Sequence, residues 1–113
     1  MMKKVILVIA ATLGLFISLE VAAQDKNNIQ HAYMQAMNKM HKPMMDAALI
    51  KDADISFVKG MIAHHQGAID MAKIELKYGK DPELKVLAQN IIKAQQQEIA
   101  FMQQWLQKHT HKK

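Results

Sequence analysis

The stretch "ISFVKGMIAHHQGAIDMAKIELKYGKDPEL", residues 55–84, decides the fold. Its apolar residues recur three and four apart as far as Tyr78, which is the spacing of an amphipathic helix. Gly79 then follows as a natural C′ residue. Asp81 and Pro82 are typical of the cap and first turn of another helix. The stretch therefore predicts two helices joined by a short turn, the second of which continues to about residue 108.

A further helical region precedes these two, over about Asn28 to Leu49. Pro43 lies inside it and predicts a kink or break near Lys42, because proline removes a helical hydrogen bond. The segment "KDAD" (51–54) is a polar connection, and Asp54 is a good N-cap for the helix that follows. Long helices with short links pack antiparallel. We therefore expect an all-α fold, a small antiparallel helical bundle.

The N-terminal segment 1–23 has the three parts of a secretory signal peptide. Two lysines come first, an uncharged run follows from Val5 to Leu19, and small residues precede a cleavage site after Ala23. A retained membrane anchor is the alternative, but the run is shorter than the roughly 20 residues of a spanning helix. We therefore predict a signal-peptide helix followed by one mature domain, residues 24–113.

The composition of the predicted mature domain excludes some classes of function. Removing segment 1–23 lowers the formal charge from +5 to +4, and the chain contains no arginine and no cysteine. Nucleic-acid sites favour clustered basic residues and bidentate arginines, so we expect no nucleic-acid partner. Without disulfides, stability has to come from helix packing, to which a bound metal can add.

Polar side chains occur on the predicted apolar faces of both later helices. At about 100° per residue, His65 falls near the middle of the apolar stripe of its helix, and His64 falls on one edge. Gln95 and Glu98 fall inside the apolar face of the last helix. Burying such groups unpaired costs a few kcal/mol each. They predict either a hydrogen-bonded core network or a metal site.

Methionine is enriched in "HAYMQAMNKMHKPMM", residues 31–45. One interpretation is that methionine serves as flexible core filler. However, this region has no leucine or isoleucine between Ile29 and Leu49, so methionine would do nearly all the packing. A core packed almost entirely by flexible methionine is poorly defined. Metal binding is the favoured interpretation. Thioether and imidazole donors suit Cu(I) and Ag(I), whereas zinc, magnesium and calcium prefer other ligands.

Signatures of metalloenzymes and hydrolases are missing from the sequence. A di-iron centre uses Glu-x-x-His pairs, zinc hydrolases use His-Glu-x-x-His or similar motifs, and neither occurs here. No Ser-His-Asp or Cys-His signature is visible. We therefore expect no enzymatic activity; a copper-dependent redox enzyme is a third hypothesis, behind the two described below.

With these residues in view, the chain resembles the CopM-like family of secreted copper-binding proteins, grouped as domain of unknown function 305. The likeness covers residues 52–106 and rests on Met-x-x-His-His-x-x-Ala-x-x-Met-Ala, followed by Leu-Ala-x-x-Ile-Ile-x-x-Gln-x-x-Glu-Ile-x-x-Met. The matching positions are Met61, His64, His65, Ala68, Met71 and Ala72, then Leu87, Ala88, Ile91, Ile92, Gln95, Glu98, Ile99 and Met102. Many members have proline where this chain has Ala63, a departure that removes no ligand.

The resemblance implies a ferritin-like helical bundle that binds copper in the periplasm and serves copper tolerance or delivery. Residues and resemblance together predict a central metal cluster of Met61, His64, His65 and Met71, with Met102 facing it. A second cluster, or a cover over the first, comprises Met37, Met40, His41 and Met44. Gln95 and Glu98 are predicted to orient a histidine rather than to bind metal.

The predicted function is a periplasmic protein that binds Cu(I), with Cu(II) and Ag(I) as further cargo, and that buffers copper or passes it to another periplasmic copper protein. The alternative is a helical interaction module whose methionine-rich face binds apolar partner segments. The tail histidines His109 and His111 are not included in either predicted cluster.

Overall fold

The computed structural model describes the backbone of residues 2–110 and the side chains of residues 16–110. Three helices make up this part of the chain: α1 (Met2–Ala48), α2 (Ala53–Tyr78) and α3 (Pro82–Thr110). No strand occurs within the described backbone. The predicted all-α helical bundle is confirmed.

Helix α1 is longer than the sequence predicted, because it begins at Met2 instead of near Asn28. It contributes to two compact units, one ending at His31 and one beginning at Ala32. The first unit is helical, and its described side chains from residue 16 to 28 are all exposed. Most of the apolar run of the predicted signal peptide lies outside the described side chains, so its cleavage stays a prediction. Among the described residues, no helix has the length and hydropathy of a membrane span.

The sequence predicted a kink or a break near Lys42. The break is wrong, because α1 continues through Pro43 to Ala48. Contacts with α2 hold α1 on both sides of the proline. Met40 packs against Gly67, and Ala47 lies against Gly60, where an added Cβ would be 3.7 Å from the Ala47 Cβ. We infer that this packing offsets the hydrogen bond that proline removes.

Asp52, and not Asp54, caps α2. Asp52 has extended backbone angles (φ −73°, ψ 119°), and its Oδ1 accepts a hydrogen bond from the Ile55 amide at 2.9 Å. Asp54 lies inside the first turn, where a carboxylate interacts favourably with the positive end of the helix dipole. The helix therefore begins two residues earlier than predicted.

The other end of α2 and both ends of α3 follow the predictions more closely. Gly79 follows α2 directly, with extended rather than left-handed angles (φ −68°, ψ 156°). The Asp81 side chain caps α3 by accepting from the amides of Glu83 at 2.9 Å and Leu84 at 3.1 Å. Helix α3 was predicted to reach about residue 108, and it continues through His109 to Thr110; residues 111–113 lie outside the described part.

Helices α1 and α2 pack antiparallel through small residues. Along α1 the contact positions Met40 and Ala47 are seven apart, and their partners Gly67 and Gly60 are seven apart in the reverse direction. The Ser56 hydroxyl adds a hydrogen bond to the Ala47 carbonyl at 2.8 Å. Glycine at both α2 positions lets α1 approach closely.

Helix α2 lies between α1 and α3 in a single layer. Its buried residues form two groups on opposite sides of the helix, as expected from about 100° per residue. The side towards α1 comprises Gly67 and Ile74. The side towards α3 comprises Val58, His65, Ile69 and Ala72. The connection between α2 and α3 has only three residues, 79–81, so the two helices are antiparallel neighbours.

The layer made by Ala32–Ala48 of α1 with α2 and α3 leaves two sides of α2 uncovered. One side carries the exposed polar residues Lys59, Gln66, Lys73 and Lys77, beside a cavity of about 330 Å³ whose walls also include Pro43, Ile62 and Ile99. The other side is apolar and carries Phe57, Met61, His64, Ala68 and Met71, of which Phe57, His64 and Met71 are exposed. Most of the predicted metal ligands of α2 therefore lie on one open side of the layer.

Candidate metal centre

His65 occupies the centre of the interface between α2 and α3 and is only 6% exposed. Its Nε2 contacts the Glu98 carboxylate across that interface. A carboxylate accepts hydrogen bonds, so this contact favours the tautomer in which Nε2–H donates and Nδ1 carries a lone pair. Nδ1 is itself buried and has no hydrogen-bond partner.

Gln95 supplies a second unsatisfied polar atom in the same interface. Its Oε1 is buried without a hydrogen-bond partner. Gln95 precedes Glu98 by three residues, so both side chains project from one side of α3. Each buried polar atom without a hydrogen-bond partner lowers the free energy of unfolding by about 1–3 kcal/mol. The sequence suggested either residue as a partner for His65, and the structure places Glu98 there.

Met61 and Met102 flank the His65–Glu98 contact. Met61 lies four residues before His65, and Met102 lies four residues after Glu98. Because α2 and α3 are antiparallel, both methionines occupy the neighbouring layer of the same interface. Met102 is 8% exposed, and Met61 is half-buried. Met61 therefore lies one helical turn from His65 along α2, and Met102 lies one helical turn from Glu98 along α3.

His64 belongs to a different site from His65. It is exposed and lines a cavity of about 260 Å³ between α1 and α2, together with Met44 and Met61. The centroids of the two imidazole rings are 6.3 Å apart, with an interplanar angle of 64°. The two adjacent histidines thus lie at opposite edges of the apolar side of α2. Met61 is near both of them, because it lines the His64 cavity and precedes His65 by one helical turn.

The α1 methionines form a group of their own. A cavity of about 380 Å³ is lined by Met34, Met37, Asn38, Met40, His41, Met44 and Met45. The predicted second cluster is therefore brought together on α1, and Met44 connects it to His64. The Met40 sulfur also packs on Gly67, where an added Cβ would collide with it. Met45 was missed by sequence reasoning; the adjacent pair Met44-Met45 was the available signal.

Met71 is not brought to His64. It lines another cavity, of about 290 Å³, whose other walls include Tyr33, Glu75, Leu84 and Leu87. Seven residues separate Met71 from His64, which corresponds to about 10 Å along the helix axis. The structure therefore divides the predicted central cluster into a part around His64 and His65 and a separate methionine.

The donor set is chemically soft. Across residues 16–110, no three His, Asp or Glu side chains converge as a metal site. The donors that share cavities are instead thioethers with one imidazole, namely Met44 and Met61 with His64, and Met37, Met40 and Met44 with His41. Thioether sulfur and neutral imidazole bind monovalent copper and silver, and thioether sulfur is a poor ligand for zinc, magnesium and calcium. A carboxylate on the distal nitrogen of a ligating histidine fixes its tautomer and raises its basicity.

Comparison with known proteins identifies the family. Residues 11–106 match the family described as "Domain of unknown function (DUF305)", and the chain belongs to that family. It is also 47% identical over 49 residues to an uncharacterized protein of Acanthamoeba polyphaga mimivirus. That match covers 43% of this chain and 32% of the viral protein, so the chain spans about a third of the length of this relative.

Proposed function

We propose that this member of the DUF305 family binds Cu(I), and by the same chemistry Ag(I), as cargo. It would act in the periplasm in copper buffering, tolerance or delivery, as the CopM-like resemblance implies. The observation that carries the proposal is the buried Nδ1 of His65, which has no hydrogen-bond partner while Glu98 contacts the other ring nitrogen.

A bound soft cation would satisfy this nitrogen. The lone pair of His65 Nδ1 is one donor, and the thioethers of Met61 and Met102 are the nearest sulfur donors along the two helices. Glu98 orients the ring and keeps its proton on Nε2. This group of donors is called the inner site.

A second, more open group supports uptake or exchange of the cation. His64 is exposed and shares a cavity with Met44 and Met61. Met44 in turn shares a groove with Met37 and His41. This group is called the outer site. Solvent reaches it directly, as a site that receives a cation from a donor molecule requires.

Competition with a chromophoric Cu(I) chelator tests the proposal. Purified protein should withdraw Cu(I) from the chelator. The double variant His64→Gln/His65→Gln should lose most of this ability, whereas His109→Gln, which lies outside both sites, should keep it. No withdrawal by the unaltered protein would reject the proposal.

A helical interaction module is the second candidate function. The exposure of Met34, Met37 and Met45, each more than half exposed, favours it, because flexible methionine surfaces adapt to apolar partners. The double histidine variant separates the two functions, since it removes imidazole donors and leaves these methionines in place. We propose no catalytic role for either site.

A further inference from the structure

The apolar side of the layer extends beyond the proposed metal donors. On α2 it is a stripe at spacings of three and four, made by Phe57, Met61, His64, Ala68 and Met71. Helix α1 adds Met37 and Met44, and α3 adds Leu84 and Leu87. We call this surface the methionine face. Its two cavities open on the same side of α2, because both are lined by this one stripe.

The methionine face is apolar over most of its extent, in contrast to the polar side of the same layer. The exposed α2 residues on the polar side include Lys59, Lys73 and Lys77. The methionine face carries no lysine among its defining residues, and one carboxylate, the half-buried Glu75, continues its α2 stripe and lines one of its cavities. A single helical layer cannot bury such a face by itself, because a packed domain needs a second layer against it. Contiguous exposed apolar patches of this kind mark interaction sites.

The five most exposed apolar side chains of the face supply a large part of the area that a dimer interface buries. Met37, Phe57, Met71, Leu84 and Leu87 are between 45% and 64% exposed. At roughly 100 Å² each, these five contribute about 500 Å² per copy, and the other members of the face add to this value. A standard interface buries about 800 Å² per partner.

We propose that the methionine face packs against the methionine face of a second copy of this chain. A twofold axis would place identical apolar stripes opposite each other, which gives a closed, isologous interface. Flexible methionines suit such a surface because they adjust to fill the space between two copies. Lys59, Lys73 and Lys77 stay on the outside of the dimer, where they are solvated. The interface does not depend on copper, and because it covers His64, solvent reaches the outer site directly only in the monomer.

Sedimentation equilibrium tests the interface in a copper chelator, so that failure of metal binding and failure of dimerisation give separate results. The protein should show a concentration-dependent monomer–dimer equilibrium. Leu87→Lys should weaken the dimer about a hundredfold, because one substitution places two charges in a twofold interface. Val86→Lys is the matched control: Val86 is 56% exposed against 52% for Leu87, lines neither cavity, and should leave the equilibrium unchanged.

Cysteine labelling provides a second measurement that does not rely on Leu87→Lys folding normally. The chain has no cysteine, so Met71→Cys and Lys73→Cys each carry one reactive thiol. Alkylation of Met71→Cys should slow several-fold as protein concentration rises, while Lys73→Cys should react at a constant rate. A protein that stays monomeric at all concentrations, or that only binds an added apolar peptide or lipid vesicle through this face, would overturn the proposal.

Discussion

Two glycines of α2 meet α1 in different ways, and alanine at each should have opposite consequences. At Gly60 an added methyl group would lie 3.7 Å from the Ala47 Cβ, which is ordinary van der Waals contact. At Gly67 it would collide with the Met40 sulfur and lie 3.3 Å from Cγ of the same side chain. Both positions are helical, so both substitutions gain about 1 kcal/mol from helix propensity.

The magnitudes follow from these contacts. Gly60→Ala should raise the free energy of unfolding by about 0.5–1 kcal/mol, because the propensity gain is unopposed. Gly67→Ala must displace a half-buried methionine side chain, and overpacking of this kind costs about 1–3 kcal/mol. Its net effect should therefore lie between no change and a loss of about 2 kcal/mol. The two variants should therefore differ by about 0.5–3 kcal/mol.

Urea unfolding followed by circular dichroism at the helix band measures both variants. The comparison is internal, since the two substitutions are chemically identical and lie on one side of one helix. If Gly67→Ala were as stabilising as Gly60→Ala, the close contact between Met40 and α2 would be refuted. The packing of the Met40 side chain against Gly67 would then have to be abandoned, whereas the Ala47 contact with Gly60 and the Ser56–Ala47 hydrogen bond would stand.

Other substitutions test the caps and the inner site. Asp52→Ala should lower the free energy of unfolding by about 1 kcal/mol because it removes the N-cap of α2, and Asp54→Ala should cost clearly less; equal losses in urea unfolding would contradict the cap assignment. Glu98→Gln should weaken Cu(I) binding about 10–100-fold in chelator competition, because the ligating histidine loses its carboxylate partner, whereas Glu83→Gln should leave affinity unchanged. Met102→Leu should weaken Cu(I) binding while changing stability by less than about 1.5 kcal/mol, since it removes the sulfur and conserves the volume; unaltered affinity would exclude Met102 as a ligand.

The sequence predicted the helices well where local chemistry sets their ends. The turn between α2 and α3 was predicted because Gly79, Asp81 and Pro82 act locally. The break at Pro43 was not borne out, because contacts from a distant part of the chain hold α1 together there. Two aspartates near the start of α2 could each serve as a cap, and spacing alone did not distinguish Asp52 from Asp54.

The candidate site was predictable to the extent that helical periodicity describes it. A helical wheel places His65 and Glu98 on facing apolar sides of α2 and α3, and the structure joins them, but the Glu98 side chain is 61% exposed and does not lie in the interior. The same wheel places Met71 beside His64, yet the two line different cavities. A wheel records angle and omits distance along the axis, which is about 10 Å for seven residues. It also cannot show which adjacent helix supplies the facing donors.

The position of α2 between two neighbours constrains its length. Its side towards α1 and its side towards α3 must both stay in register through the same 26 residues. Inserting one residue after His65 would rotate the rest of α2 by about 100°. Both the α1–α2 interface and the α2–α3 interface would then be out of register. We therefore expect insertions and deletions in relatives of this protein to fall in the connections at 49–52 and 79–81, and the interior of α2 to keep a fixed length.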